Sequence, residues 1–228
     1  MSNSTLQPIK VWGKGGPNPP KVAILVSELG IPHEIVPISF AELKEPAYLK
    51  INPNGRMPSI EDPNTGITLW ESGSIFEYLV ERYDTERKLS FEPGTKEAWL
   101  ARTWLYFQAS GQGPYYGQAA WFTKFHQEQL PSAIERYVKE IHRVTSVLET
   151  HLKKRKDEGE AGVDGPWLVG DKISYVDLAW VSWQHIITLI VPKEKFDPEE
   201  YPVVKAWLDR MRAREAVRKA LDLDAKRE

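Results

Sequence analysis

Up to Tyr83 the apolar positions fall into short runs that alternate between two periods. Ile9 to Trp12 reads as a strand, and the glycine- and proline-rich segment Gly13 to Pro20 as a loop. Asn18 suits an N-cap and Pro19 the first helical position. Val22, Leu25, Val26 and Leu29 then repeat at helical spacing until Gly30 stops the helix. His33 to Ile38 alternates as a strand, and Ala41 to Ile51 is a short helix interrupted by Pro46. Met57 to Glu61 and Ile67 to Trp70 are strands joined by the turn Asp62-Pro63-Asn64-Thr65-Gly66. Ile75, Phe76, Leu79, Val80 and Tyr83 form the inner stripe of a further helix. The order is βαβ followed by αββα.

From Thr95 onward strand signals disappear. Trp99 to Phe107, Leu130 to Leu152, Val176 to Ile187 and Pro202 to Met211 carry apolar residues at helical period. The change places a domain boundary between Asp84 and Gly94, which predicts an α/β domain over 1–86 and an all-helical domain over 95–228. With 228 residues, 41% of them hydrophobic, the chain has ample apolar surface for packed cores and is not of disordered composition. A formal charge of -2 gives no general attraction to nucleic acid or anionic membranes, so the expected partners are small molecules or proteins. No apolar run is long enough to span a bilayer, and the start lacks the pattern of a secretion signal. The expectation is cytoplasmic. The chain has no cysteine, which excludes disulfides, thiolate metal sites and a thiol nucleophile of its own.

Several motifs lead nowhere. Gly13-Lys14-Gly15-Gly16 lacks the spacing of a phosphate-binding loop, there is no Gly-x-Ser-x-Gly elbow, and the five histidines lack ligand spacing, so no metal is expected. Two segments are more informative: Asn52-Pro53-Asn54-Gly55-Arg56-Met57-Pro58-Ser59-Ile60 and Leu69-Trp70-Glu71-Ser72-Gly73-Ser74-Ile75. Pro58 interrupts an apolar strand pattern, where proline has no donor to offer a sheet. A cis bond that presents the preceding backbone to a ligand is one explanation. Glu71-Ser72 opens an amphipathic helix.

These segments resemble the glutathione site of the glutathione transferase superfamily, and the βαβ-αββα order resembles its thioredoxin-like domain. Pro17-Asn18-Pro19-Pro20-Lys21-Val22-Ala23, Ser27-Glu28-Leu29-Gly30, Trp70-Glu71-Ser72-Gly73, Ala109-Ser110-Gly111-Gln112-Gly113-Pro114 and Trp167-Leu168-Val169-Gly170-Asp171-Lys172 are similar to the fungal class typified by the yeast nitrogen-catabolite regulator. The resemblance implies an N-terminal thioredoxin-like domain, an all-α C-terminal domain, a homodimer, and glutathione as co-substrate with no permanently bound cofactor. In that class an asparagine stands beside the glutathione sulfur, and Asn18 falls on it. The helix dipole is worth roughly 0.3 to 1 kcal/mol and a side-chain donor to a charged acceptor about 1.5 to 3 kcal/mol. Together they lower a thiol pKa of about 8.5 by roughly 1.5 to 3 pH units. Read from spacing alone, Asn18 serves equally well as a helix cap.

The resemblance also implies that the Met57 backbone, preceding Pro58, pairs with the cysteinyl backbone of glutathione. Ser72 and its helix start would take the γ-glutamyl carboxylate, Glu71 the γ-glutamyl ammonium, and Arg56 and Lys44 the glycine carboxylate. Leu43 stands where some relatives carry His or Gln, so the glycine end is expected to be held differently. A hydrophobic, aromatic second substrate would lie against Trp12, Tyr116, Trp121 and Phe125, although an aromatic stripe at helical spacing is more often core. Ser174-Tyr175-Val176-Asp177 is a capping box with Ile173 and Leu178 as its staple, so Asp177 is expected to serve folding, with Asp177→Ala costing about 0.5 to 2 kcal/mol. The expected activity is attack of a stabilised glutathione thiolate on hydrophobic electrophiles, peroxides or glutathionyl adducts. The alternative is a glutathione-binding regulatory protein with little turnover.

Overall fold

A computed structural model describes residues 6–162 and 164–223. The chain divides into two compact units. One runs to Lys88 and takes back the segment from Glu215; the other is Leu89–Arg214.

In the first unit a four-stranded sheet has the order β2-β1-β3-β4, formed by β1 (Ile9–Trp12), β2 (His33–Val36), β3 (Ser59–Asp62) and β4 (Ile67–Trp70). β1 pairs with β2 in parallel and with β3 antiparallel; β3 and β4 form an antiparallel hairpin. The β1-β2 crossover is α1 (Asn18–Glu28), whose buried Val22, Leu25 and Val26 confirm the predicted stripe. α3 (Ser72–Tyr83) packs beside α1 and buries Ile75, Phe76, Leu79 and Val80. The region between β2 and β3 holds a 3₁₀ turn at Glu42–Lys44 and the short α2 (Pro46–Leu49), split at Pro46 as expected. Ladder pairing in β3 begins at Ser59 rather than Met57, because Pro58 has no N–H to donate. The β3-β4 turn is tied to α3 through Asp62, whose carboxylate accepts from the Tyr78 and Tyr83 hydroxyls and from the Asn64 amide.

The second unit is helical. α4 (Lys96–Phe107) starts on a Thr95 cap and runs through a widened turn, Gln108–Gln112, into α5 (Gly113–Ala120), followed by a second widened turn, Trp121–Phe125. The chain stays helical through Ser110-Gly111. Gly111 permits this, because a Cβ at that position would lie 2.7 Å from the Phe107 ring. α6 (Pro131–Asp157), α7 (Tyr175–Ile190) and α8 (Pro202–Ala213) complete the unit. α7 is buried along almost its whole length, with Trp180 at the centre of the core.

The final helix, α9 (Glu215–Ala220), corrects the predicted boundary. It belongs with the first unit and packs on α1 with Val217 fully buried. A single short amphipathic helix does not state which core its apolar face will join, so the sequence assigned it to the helical domain.

Asp177 is fully buried at the start of α7. One carboxylate oxygen accepts from the backbone N–H and the hydroxyl of Ser174, each at 3.0 Å. The other accepts from the Leu168 N–H and the Trp207 indole N–H, also at 3.0 Å. The group is therefore more than a helix cap, since it joins α7, α8 and the loop at Leu168. Burial pushes its carboxyl up, while the four donors pull it down.

Candidate functional site

Strand register brings three of the segments that carry predicted site residues to one end of the first unit's sheet. Trp12 pairs with Ser59, and Ser59 with Trp70. The segment that follows Trp12 toward Asn18, the segment Arg56-Met57-Pro58 that precedes Ser59, and the Glu71-Ser72 step that follows Trp70 all leave the sheet at that edge. Gly13 holds two of these segments in contact. A Cβ there would lie 2.9 Å from the Met57 Cβ and 3.0 Å from the Pro19 ring, and its φ of +106° suits glycine alone.

Asn18 is the first residue of α1 and is partly exposed, with Pro17 in the cap position. Pro17, Pro19 and Pro20 remove three of the four amides that a helix start normally leaves free. The Met57–Pro58 bond is cis, as the sequence suggested. The preceding loop is braced by the Tyr48 hydroxyl and the Asn52 amide, which donate to the Arg56 carbonyl at 2.8 and 2.6 Å. Lys44 stands beside this loop and donates to the Gly55 carbonyl at 2.9 Å, while the Arg56 side chain is exposed. Leu43 is buried and offers nothing to a ligand.

Glu71 is exposed and occupies the N-cap of α3 with φ 68° and ψ 112°, a conformation that costs a non-glycine residue of order 1–3 kcal/mol. Ser72 is the first residue of that helix. Within electrostatic reach of Glu71 is a residue that sequence reasoning missed. Lys21, in the first turn of α1, is only 2% exposed. Burial pulls its ammonium down from 10.5 to about 7, against the opposing pull of the Glu71 carboxylate. A signal was available: Lys21 stands four residues before Leu25 and eight before Leu29, on the apolar face of the helix.

The candidate electrophile residues separate by environment. Tyr116 corrects the sequence expectation. It is fully buried among α5, α6 and α7, and its hydroxyl meets Thr145 at 2.8 Å and Gln184 at 3.2 Å, so it presents no surface to a substrate. Phe122 stacks on Tyr137 at 5.6 Å. Trp121 and Phe125 project from the widened turn, 50% and 66% exposed. Trp12, in the first unit, is partly exposed. Its indole donates to Glu61 at 2.7 Å, and its ring meets Tyr48 edge-on. Among the described residues no group of His, Asp or Glu is placed to hold a metal, and no helix is long and apolar enough to cross a membrane.

Residues 7–81 match the family model of the glutathione S-transferase N-terminal domain and residues 114–215 that of the C-terminal domain. The chain is 59% identical to the glutathione S-transferase-like protein tpcF of Aspergillus fumigatus, over 95% of this chain and 96% of that protein. It is 35% identical to the transcriptional regulator URE2 of Saccharomyces cerevisiae, over 91% of this chain and 66% of the regulator. A glutathione transferase of Phanerochaete chrysosporium solved with oxidized glutathione superposes with a TM-score of 0.86 at 42% identity, over 99% of both chains. The order of elements, the cis proline before β3, the acid-serine step at α3 and these matches agree: the chain belongs to the glutathione S-transferase family, with fungal and URE2-like relatives.

Proposed function

We propose that the protein binds glutathione at the sheet edge where Asn18, Met57 and Glu71-Ser72 converge, and activates its thiol for attack on hydrophobic electrophiles. The register that aligns Trp12, Ser59 and Trp70 carries this reading, because it gathers three segments distant in sequence into one site. Asn18 donates to the sulfur and favours the thiolate over the thiol. Glu71 accepts from the γ-glutamyl ammonium, and Ser72 with the start of α3 holds the γ-glutamyl carboxylate. The Met57 backbone pairs with the cysteinyl unit, and Arg56 and Lys44 face the glycine carboxylate. Glutathione supplies the nucleophile and the protein supplies position and electrostatics.

The second substrate is hydrophobic and aromatic, matched to the exposed rings of Trp121 and Phe125. Carbon electrophiles, peroxides and glutathionyl adducts are all within reach of the same thiolate, and glutathione is a co-substrate rather than a resident cofactor. The protein acts in the cytoplasm as a homodimer. The large exposed rings on α4, Trp99 at 60% and Tyr106 at 63%, support self-association. The likeness to a transcriptional regulator favours a second reading, in which the same site binds glutathione without useful turnover.

The test is glutathione-dependent turnover on an aryl halide, an organic hydroperoxide and a glutathionylated aromatic ketone, with Asn18→Ala alongside. Turnover of one substrate, reduced roughly tenfold to a hundredfold by the substitution, supports the enzyme reading. Glutathione binding with no turnover on any of the three leaves the regulatory reading in its place.

A further inference from the structure

The helical unit contains a cavity of about 160 Å³ away from Trp121 and Phe125, lined by α6, α7 and α8 and by the segment that leads into α8. Phe196, Tyr201, Val204 and Leu208 make its walls, and Phe196 and Tyr201 stack at 5.7 Å. Thr145 and Gln184, both buried, supply polar groups to its lining. At the mouth the charges are paired among themselves: Lys205 with Glu199 at 2.7 Å, and Arg212 with Asp209 at 3.6 Å.

The hydrogen bonds of the two buried polar residues are incompletely used. The Tyr116 hydroxyl donates to Gln184 Oε1 at 3.2 Å, so the Thr145 hydroxyl is the donor in its 2.8 Å bond to Tyr116. Gln184 Oε1 also accepts from Gln112 at 3.4 Å. Gln184 Nε2 makes a single bond, a long one to Thr145 Oγ1 at 3.5 Å. Its second hydrogen finds no acceptor among the described residues. A buried amide N–H without a partner is costly and rare, and here it occurs in the lining of a cavity.

We propose that this cavity is a binding site for a small neutral phenol, distinct from the glutathione site. The hydroxyl oxygen would accept the spare Gln184 N–H while its hydrogen is donated to Thr145 Oγ1. The single ring would lie against Phe196 and Tyr201. The size suits one ring, since a cavity of about 150 Å³ holds benzene. The mutual neutralisation of the charges at the mouth leaves no unpaired cation there to select a carboxylate.

Fluorine NMR of para-fluorophenol with the whole protein tests this, with para-fluorotoluene as the probe that lacks the hydroxyl. The expected result is saturable binding of the phenol, weakened roughly fivefold to tenfold for the toluene. Binding should persist when S-hexylglutathione is saturating, because that probe occupies the glutathione site. It should be lost in Val204→Phe, which fills the cavity, with Leu208→Phe as the second variant if the first does not fold. No phenol binding, equal binding of the two probes, displacement by S-hexylglutathione, or undiminished binding in a folded filling variant would each overturn the proposal. The two probes and the S-hexylglutathione competition decide the matter even if neither variant folds. None of these readouts requires catalytic turnover.

Discussion

Lys21→Met removes an ammonium that the first unit buries almost completely. The folded protein holds this group at about 7 against 10.5 when it is free. At about 1.36 kcal/mol per pH unit, that difference corresponds to roughly 5 kcal/mol of penalty for keeping the charged form inside. The sign follows from proton counting. Below the folded value both states carry the proton and the full penalty is present. Between about 7 and 10.5 the unfolded chain binds more protons than the folded one, so stability rises with pH, and above that range the penalty is gone. Methionine has a similar unbranched shape and no charge to desolvate, so the variant should be the more stable protein at low pH, by up to roughly 5 kcal/mol. The advantage should shrink to about 2 kcal/mol near pH ~9. The assay is urea unfolding of both proteins at matched concentration near pH ~6 and ~9; titrations common to the two cancel in the difference. A difference that does not change with pH, or a variant less stable at the lower pH, would show that the folded state compensates the ammonium fully and that the reasoning is wrong.

The remaining predictions concern residues whose surroundings are equally well defined. Asp177→Ala leaves the N–H groups of Leu168, Ser174 and Trp207 without their acceptor, so the expected loss is about 3 to 5 kcal/mol by urea unfolding, above the cost of a simple cap, with the glutathione KM of surviving protein unchanged. Gly13→Ala forces a left-handed backbone onto alanine and pushes a methyl against Met57 and Pro19; it should cost about 1 to 3 kcal/mol and raise the glutathione KM. Tyr116→Phe should lower stability by about 1 kcal/mol and leave the constants of both substrates intact. A raised KM for the electrophile in that variant would return Tyr116 to the substrate site.

How much was legible in the sequence differs between residues for physical reasons. The stripe Val22, Leu25, Val26, the punctuation at Gly30 and Pro46, the turn at Asp62 to Gly66 and the capping box at Ser174 are short-range patterns, in which each residue's role depends on neighbours within one or two turns. Asn18, Met57-Pro58 and Glu71-Ser72 could be singled out as candidates because each carries a local signal of its own, a helix start or a proline where a ladder should run. The sequence by itself therefore determined the elements, the change from α/β to all-helical architecture, and the residue types available for holding a thiolate. The tertiary structure alone decided their partners. Pairing of Trp12 with Ser59 and of Ser59 with Trp70 gathers the three segments of the proposed site, and packing buries Lys21 within electrostatic reach of Glu71, and Tyr116 behind Thr145 and Gln184. It also carries α9 back to α1 and adds two donors to Asp177 from other parts of the fold. Burial and desolvation depend on everything that packs around a group, and that set is fixed by contacts between residues far apart in the chain.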